Sequence, residues 1–352
     1  MNQYFNSRRM PAEWELQDAI LMAFPHEGTD WNYMLPEITK CYIDMIKAMI
    51  PSGETIIIIT PEPDKVKSIL KESDIEHVVV IGCDTNDTWT RDYGALSIEL
   101  NNLTPKLLDF KFNGWGLKFA SCYDNLVNLH LAKCNIYNSK PENHLGFVLE
   151  GGSIESDGEG TIMTTSECLL SPNRNGGNSK AEIESYLKTA LGAYRVLWLN
   201  HGYLAGDDTD SHVDTLARFI DNHTIAYVKC YDKADEHYYE LSLMEDELKQ
   251  FRTISGDAYT LVALPLPDAI YDEEGERLPA TYANFLIMND RVILPIYNQA
   301  NNDTEAIKSL TRAFPNKKIT PLDANALIKQ HGSIHCATMQ FAKGNINKNI
   351  MI

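Results

Sequence analysis

The sequence predicts an α/β fold in which one unit of strands and helix recurs about five times and closes into a ring. Three observations predict it. Short polar motifs recur along the chain: Trp89-Thr-Arg-Asp92, Glu150-Gly-Gly152, His212-Val-Asp214 and His335-Cys336. The gaps from Asp92 to Glu150 and from Glu150 to His212 are both close to 60 residues, and Cys336 lies about two such periods further on. Several of these motifs open a segment that reads as two strands joined by a tight turn. One copy is divided between the two ends of the chain, so that completing it closes the ring.

The elements follow in order. Residues 14–24 read as a strand, 35–50 as a helix with apolar residues every three to four positions, and 55–59 and 77–81 as aliphatic strands. Residues 92–112 form a loose hairpin turning at Asn101-Asn102. An apolar strand, 147–149, leads into the hairpin 150–165, whose Asp157-Gly158 is a strong turn signal. A helix over 179–191 and a strand over 195–199 come next. The hairpin 212–228 turns at Asp221-Asn222-His223. The strand 261–264 precedes the hairpin 282–297, which turns at Asn289-Asp290. A helix over 303–314 is capped by Asp303, and the last strand starts at Cys336. In each copy a polar residue stands where the first strand begins: Asp92, Glu150, His212 and Asn284, with Cys336 in the same place in the divided copy. A ring sets all of them around one central axis. No linker or composition shift cuts the chain, so residues 1–352 read as a single domain.

Net charge is −18 over 352 residues. This argues against nucleic acid as a partner, because phosphate binding needs a basic face. An acidic cleft suits a cationic substrate, although solubility alone accounts for the charge. Residues 1–10 hold no apolar signal core, and the longest aliphatic run, Ile56 to Ile59, is too short to span a bilayer. The expected location is the cytoplasm, with no membrane partner. Seven cysteines without a C-x-x-C pair argue against a disulfide framework or a zinc ribbon.

A lone cysteine before an apolar strand is usually core. The position of Cys336 at a repeat start reverses that preference and makes it a nucleophile candidate, in need of a proton carrier. His212 is the best carrier, and strand alternation would turn His212 and Asp214 to one site. The Asp207, Asp208, Asp210 and His212 group could hold an ion, but the calcium-loop spacing fails and no metal is expected. Glu150, a carboxylate at a buried strand start, needs a partner. His212 is the partner expected. His335 should face away from Cys336.

In combination, these motifs resemble the agmatine deiminase family, including bacterial-type peptidylarginine deiminases, within the guanidine-modifying superfamily. Pro11-Ala-Glu-Trp-Glu15, Trp89-x-Arg-Asp92, Leu149-Glu-Gly-Gly-Ser153, Asn173-Arg-Asn175, Asp207-Asp-Thr-x-x-His212-Val-Asp214, Tyr282-x-Asn284-Phe and Ile334-His-Cys336 carry the likeness over nearly the whole chain. The resemblance implies a five-bladed α/β propeller (a pentein) of ββαβ repeats around a central active site. It implies hydrolysis of agmatine to N-carbamoylputrescine and ammonia, a step toward putrescine, without cofactor or metal, in a homodimer. Cys336 would attack the guanidinium carbon and form a thiouronium. Asp92 and Asp214 would hold the guanidinium, and His212, charged and oriented by Glu150, would serve as acid and then base. Trp89 and Asp208 would contact the methylene chain and far ammonium, and Asn284 would orient substrate or Cys336.

The chain departs from the family at Gln330-His-Gly-Ser, where relatives usually read Gly-Gly-Gly-Asn, and at Tyr93-Gly-Ala95, where they often read Thr-Gly-Pro. Both changes bear on the choice of guanidino substrate. Deimination of free or peptide-bound arginine is the neighbouring alternative. It should place an Arg or Lys at the far end of the pocket. A non-catalytic binding scaffold is the alternative of a different class, and it has no need of five such groups together. An amide hydrolase is disfavoured, because two carboxylates would repel a tetrahedral oxyanion.

Overall fold

Antiparallel pairing of two consecutive strands, followed by a helical crossover to a third, parallel strand, is the pattern of all five sheets in the computed structural model, which describes residues 8–101 and 104–350. In chain order, Leu96–Leu100 pairs antiparallel with Thr104–Lys111, which pairs in parallel with Glu142–Val148. Ile154–Ser156 and Thr161–Thr165 are followed by Arg195–Leu199, and Ala217–Asp221 and Thr224–Lys229 by Thr260–Pro265. Leu286–Ile287 and Arg291–Ile296 are followed by Lys318–Asp323. The fifth sheet joins the chain's two ends. Met339–Ala342 lies antiparallel to Gln17–Ala23, with Met339 opposite Leu21, and Thr55–Thr60 and Val78–Gly82 extend it in parallel. The expected ββαβ propeller of five blades is therefore the observed architecture.

Burial explains the strand compositions. Thr55–Thr60 lies between two parallel neighbours and under helices, so it is wholly buried and its centre, Ile56 to Ile59, is aliphatic. The predicted helices form over Leu35–Met49, Lys180–Leu191 and Ala300–Ala313. Ser179 caps the second in a reciprocal box with Glu182. The third starts earlier than expected. Asp303 sits inside its first turn and accepts the N–H of Gln299 at 2.9 Å and of Tyr297 at 3.1 Å. Unexpected from the sequence are the helices Pro63–Glu72 and Tyr238–Gln250 and the strand Lys318–Asp323. Asn102, half of one predicted turn, and most of the N-terminal segment read for a signal core lie outside the described residues. No described helix is long and apolar enough to cross a membrane.

Candidate active site

The polar residues at the repeat starts do not lie in strands, as the alternation argument supposed. Each precedes the inner strand of its blade by two to five residues. Asp92 lies in the single helical turn Thr90–Tyr93, Glu150 just before the 3-10 turn Gly151–Ser153, and Asp214 within the 3-10 turn Val213–Thr215. His212 caps that turn, so the turn rather than strand alternation sets His212 beside Asp214. Cys336 occupies a similar turn ahead of Met339–Ala342, closed by the Ala337 N–H on the Ser333 carbonyl at 3.1 Å.

The turns converge. Asp92 Oδ1 accepts the Gly152 N–H at 3.0 Å and lies 3.6 Å from His212 Nδ1, while Asp92 Oδ2 accepts the Trp115 indole N–H at 2.9 Å. Asp214 Oδ2 meets His335 Nδ1 at 2.7 Å and lies 3.9 Å from Cys336 Sγ. Gly152 is the hub. A Cβ there would stand 2.7 Å from His212 Nδ1, 2.8 Å from Asp92 Oδ1 and 3.0 Å from Asp214 Oδ2. The Glu-Gly-Gly motif is thus a packing requirement of three side chains from two other blades.

Asn284 is not a cavity residue. Its Oδ1 accepts the backbone N–H groups of His335 at 3.0 Å and Cys336 at 3.2 Å, which fixes the cysteine's turn from beneath.

Glu150 does not orient His212. Both its oxygens accept from Arg174 Nε, at 2.9 and 3.0 Å, and Arg174 continues to Asp210 at 2.5 Å and the Thr209 carbonyl at 2.8 Å. A buried guanidinium offers a carboxylate a full charge and a fork of donors, and it outcompetes a neutral imidazole. Neither ring nitrogen of His212 has a hydrogen-bond partner in this structure. Glu150, Cys168 and His212 place ligand atoms within 4.8 Å of one another, but Arg174 already supplies the positive charge there. Asp207 folds onto its own loop, accepting from Thr209 and Ser211, and Asp210 is held by Arg174 and Lys118. That loop is organised by its own donors.

A cavity of about 170 Å³ opens above this layer. Cys336, Asp92, Trp89 and Trp115 line its floor and walls, and Asp87 and Asp208 also face it. His212, Asp214 and Glu150 are fully buried outside the lining. Trp89 stacks tilted on Trp31 and is backed by Gly332, where a Cβ would meet its ring at 2.4 Å.

Burial dominates the electrostatics. It pushes the Cys336 thiol well above its usual range, and the Asp214 and Asp92 charges add to this. It pushes His212 down to about 3, which favours the neutral imidazole. Asp92 is raised well above the carboxylate range by burial and by Asp214. Burial also raises Asp214, but the bond and charge of His335 outweigh it and leave Asp214 lowered. Glu150 is raised by burial despite Arg174, and Asp87 rises to about 7 for the same reason. The two aspartates nearest the cysteine thus differ: Asp214 holds its charge and Asp92 resists it.

Sequence reasoning gave no role to Trp115, Arg174 or Asp87. For Trp115 a signal existed. Gly114-Trp-Gly116 is a run of left-handed residues, with φ of 66°, 52° and 82°. Two glycines around a buried aromatic mark a turn shaped to aim it. Arg174 stood in a recognised motif, but its partners come from distant loops.

Residues 9–341 match the family described as Porphyromonas-type peptidyl-arginine deiminase. A Legionella pneumophila protein provisionally named agmatine deiminase is 36% identical over 339 residues, covering 96% of this chain and 95% of that one. A crystal structure provisionally described as a peptidyl-arginine deiminase superposes with a TM-score of 0.92 at 46% identity, over 96% of this chain and 100% of that one. A cysteine-to-serine variant of C. jejuni agmatine deiminase with substrate bound superposes with a TM-score of 0.89 at 42% identity, over 98% and 99%.

Proposed function

The chain belongs to the Porphyromonas-type peptidyl-arginine deiminase family, and we propose that within it the protein hydrolyses agmatine to N-carbamoylputrescine and ammonia. The observation that carries this reading is the lining of the cavity above Cys336. Its described residues include five aspartates, Asp30, Asp87, Asp92, Asp207 and Asp208, and no Arg or Lys. Agmatine is a cation at both ends. Free arginine would bring an α-carboxylate into this acidic mouth with no cation of the lining to receive it. The kinship with agmatine deiminases agrees with the chemistry of the lining.

The residues divide the reaction as follows. The guanidinium sits between Asp214 and Asp92, and its charge draws Asp92 into the ionised form. The same charge, beside Sγ, makes the thiolate accessible. The Cys336 proton passes to the neutral, unpartnered imidazole of His212. Sulfur bonds to the guanidinium carbon, the C–N bond breaks, and His212 returns the proton to the departing ammonia. A thiouronium on Cys336 remains. Water then attacks its carbon while His212 takes a proton, the C–S bond breaks, and the sulfur is restored with release of the ureido product. Trp89 and Trp115 pack the methylene chain, and Asp208 faces the far ammonium. Glu150, neutralised by Arg174, anchors the loop around His212 instead of exchanging protons. The product lies on the way to putrescine.

Ammonia release from agmatine, free arginine and an arginine peptide tests the reading, with Cys336→Ser as control. Turnover of agmatine alone, lost in the variant, is expected. Preferred turnover of arginine or the peptide would overturn the substrate. No turnover of any of the three, with Cys336 no more reactive than a free thiol toward a haloacetamidine, would overturn the enzyme reading in favour of a scaffold.

A further inference from the structure

His335, beside the nucleophile, has no part in the chemistry above, yet both its ring nitrogens face carboxylates. Nδ1 is 2.7 Å from Asp214 Oδ2, and Nε2 is 2.7 Å from Glu13 Oε2. A neutral imidazole carries one N–H and one lone pair, and a lone pair at that distance from a carboxylate oxygen is repulsive. Two carboxylates therefore require two N–H groups. Arg218 Nη2 also lies 3.0 Å from His335 Nε2, but it is 2.6 Å from the same Glu13 oxygen, so both cations converge on one acceptor. Were the ring neutral and accepting from Arg218, Nε2 and Glu13 would meet lone pair to lone pair.

The surroundings agree. Glu13 comes from the N-terminal segment, Glu155 and Arg218 from the inner strands of two blades, Asp214 from its turn, and Arg91 from the short helix of Asp92. Arg218 also pairs with Glu155, and the Arg91 Nε–H donates to the His335 carbonyl at 3.3 Å. With His335 charged, three cations (Arg91, Arg218 and His335) face three carboxylates in an interior that does not tolerate unmatched charge. Burial raises Glu13, but Arg218 and His335 outweigh it and hold the carboxyl well below its ordinary range.

We propose that His335 is a positioning residue, held as an imidazolium between Glu13 and Asp214, that keeps the Asp214 carboxylate charged and aimed at the guanidinium site. It decides which of the two aspartates carries the charge. Glu13 acts through it from the far side of the ring, where it lines a second cavity of about 40 Å³ with His335, Glu155 and Arg91. The kinetic consequence rests on the deiminase reading; the state of the ring does not.

Two measurements test it. Ring nitrogen NMR of the resting wild-type protein, with selectively labelled histidine and His335→Gln to assign the signal, should show a proton on both His335 nitrogens. If that variant does not fold, the signal that Glu13→Gln displaces supplies the assignment. Glu13→Gln removes one of the two carboxylates, so the ring should then show one protonated nitrogen instead of two. kcat/KM for agmatine should fall roughly 10-fold or more, and Glu13→Asp should restore both the ring signals and the rate. A merely structural Glu13 would lower kcat/KM and leave the ring signals as in the wild type. A singly protonated ring in the wild type, or ring signals unchanged in Glu13→Gln, overturns the proposal. If the wild type does not act on agmatine, the substrate reading fails and the ring spectrum still decides this one.

Discussion

Gly152→Ala adds one methyl group at the point where two other blades deliver three polar side chains. Gly152 does not have positive φ, so its backbone accepts alanine, and the whole effect comes from contact. The new Cβ would stand 2.7 Å from His212 Nδ1, 2.8 Å from Asp92 Oδ1 and 3.0 Å from Asp214 Oδ2, against an ordinary limit near 3.4 Å. Each group must retreat by about 0.4–0.7 Å. None is the free end of a long side chain: Asp92 is tied to Trp115, and Asp214 to His335. Misplacement of about 1 Å costs about 100-fold in rate, and three reacting groups shift together here, so kcat/KM for agmatine should fall about 100-fold, or about 2.7 kcal/mol. Overpacking should also cost roughly 1–3 kcal/mol of stability. Steady-state ammonia release, with thermal unfolding followed in parallel, measures both. Gly146→Ala, where a Cβ meets nothing within 4 Å, is the control and should change neither. Activity of Gly152→Ala within about threefold of wild type would refute the claim that these groups act from their observed positions.

Other consequences can be checked alongside. Trp115→Phe keeps an aromatic ring, though a smaller one, and removes the N–H on Asp92 Oδ2; it should lower kcat/KM roughly 10-fold or more while circular dichroism stays unchanged. Arg174→Ala leaves the Glu150 and Asp210 carboxylates without their guanidinium and should lower the unfolding free energy by about 3–5 kcal/mol in urea titrations. His212 is neutral in the fold down to about pH 3 and near 6.5 when free, so the unfolded chain binds a proton that the fold refuses. Its contribution is complete above pH 6.5 and drains away as pH falls toward 3. The thermal midpoint of the wild type should therefore drop more steeply between pH 6.5 and 4 than that of His212→Asn, by up to about 1.4 kcal/mol per pH unit in unfolding free energy.

The ring was legible because its hairpins announce themselves. Alternating strands bounded by Asp157-Gly158 or Asn289-Asp290 carry a local signal, and a polar residue ahead of each set the period. The strand Lys318–Asp323 was not, since it is an edge strand containing Pro321, half exposed and with little aliphatic content. The convergence of Asp92, His212, Asp214 and Cys336 was also legible, as a consequence of the ring. What held them was not. Four-residue turns are too short to show periodicity, so the residues were assigned to strands. The repeat pattern pairs Glu150 with His212, the polar residue of the next copy, whereas the observed partner is Arg174, which lies 24 residues away outside the repeat starts. Asn284 stands at an inward position, but only the backbone of the neighbouring blade shows that it serves the cysteine's N–H. His335 was sent to the opposite face, which is right for its Glu13 contact and incomplete for Asp214.

The sheet that carries Cys336 pairs residues near one end of the chain with residues near the other, Met339 opposite Leu21. During synthesis the Gln17–Ala23 strand leaves the ribosome early and stays without its antiparallel neighbour until almost everything else has been made. Four sheets can form in sequence as they emerge, but the cysteine and its turn join them only once the nascent chain has passed residue 339. The layer around Gly152 is therefore completed last, and a chain stalled short of that strand lacks Cys336 together with the His335 that holds Asp214.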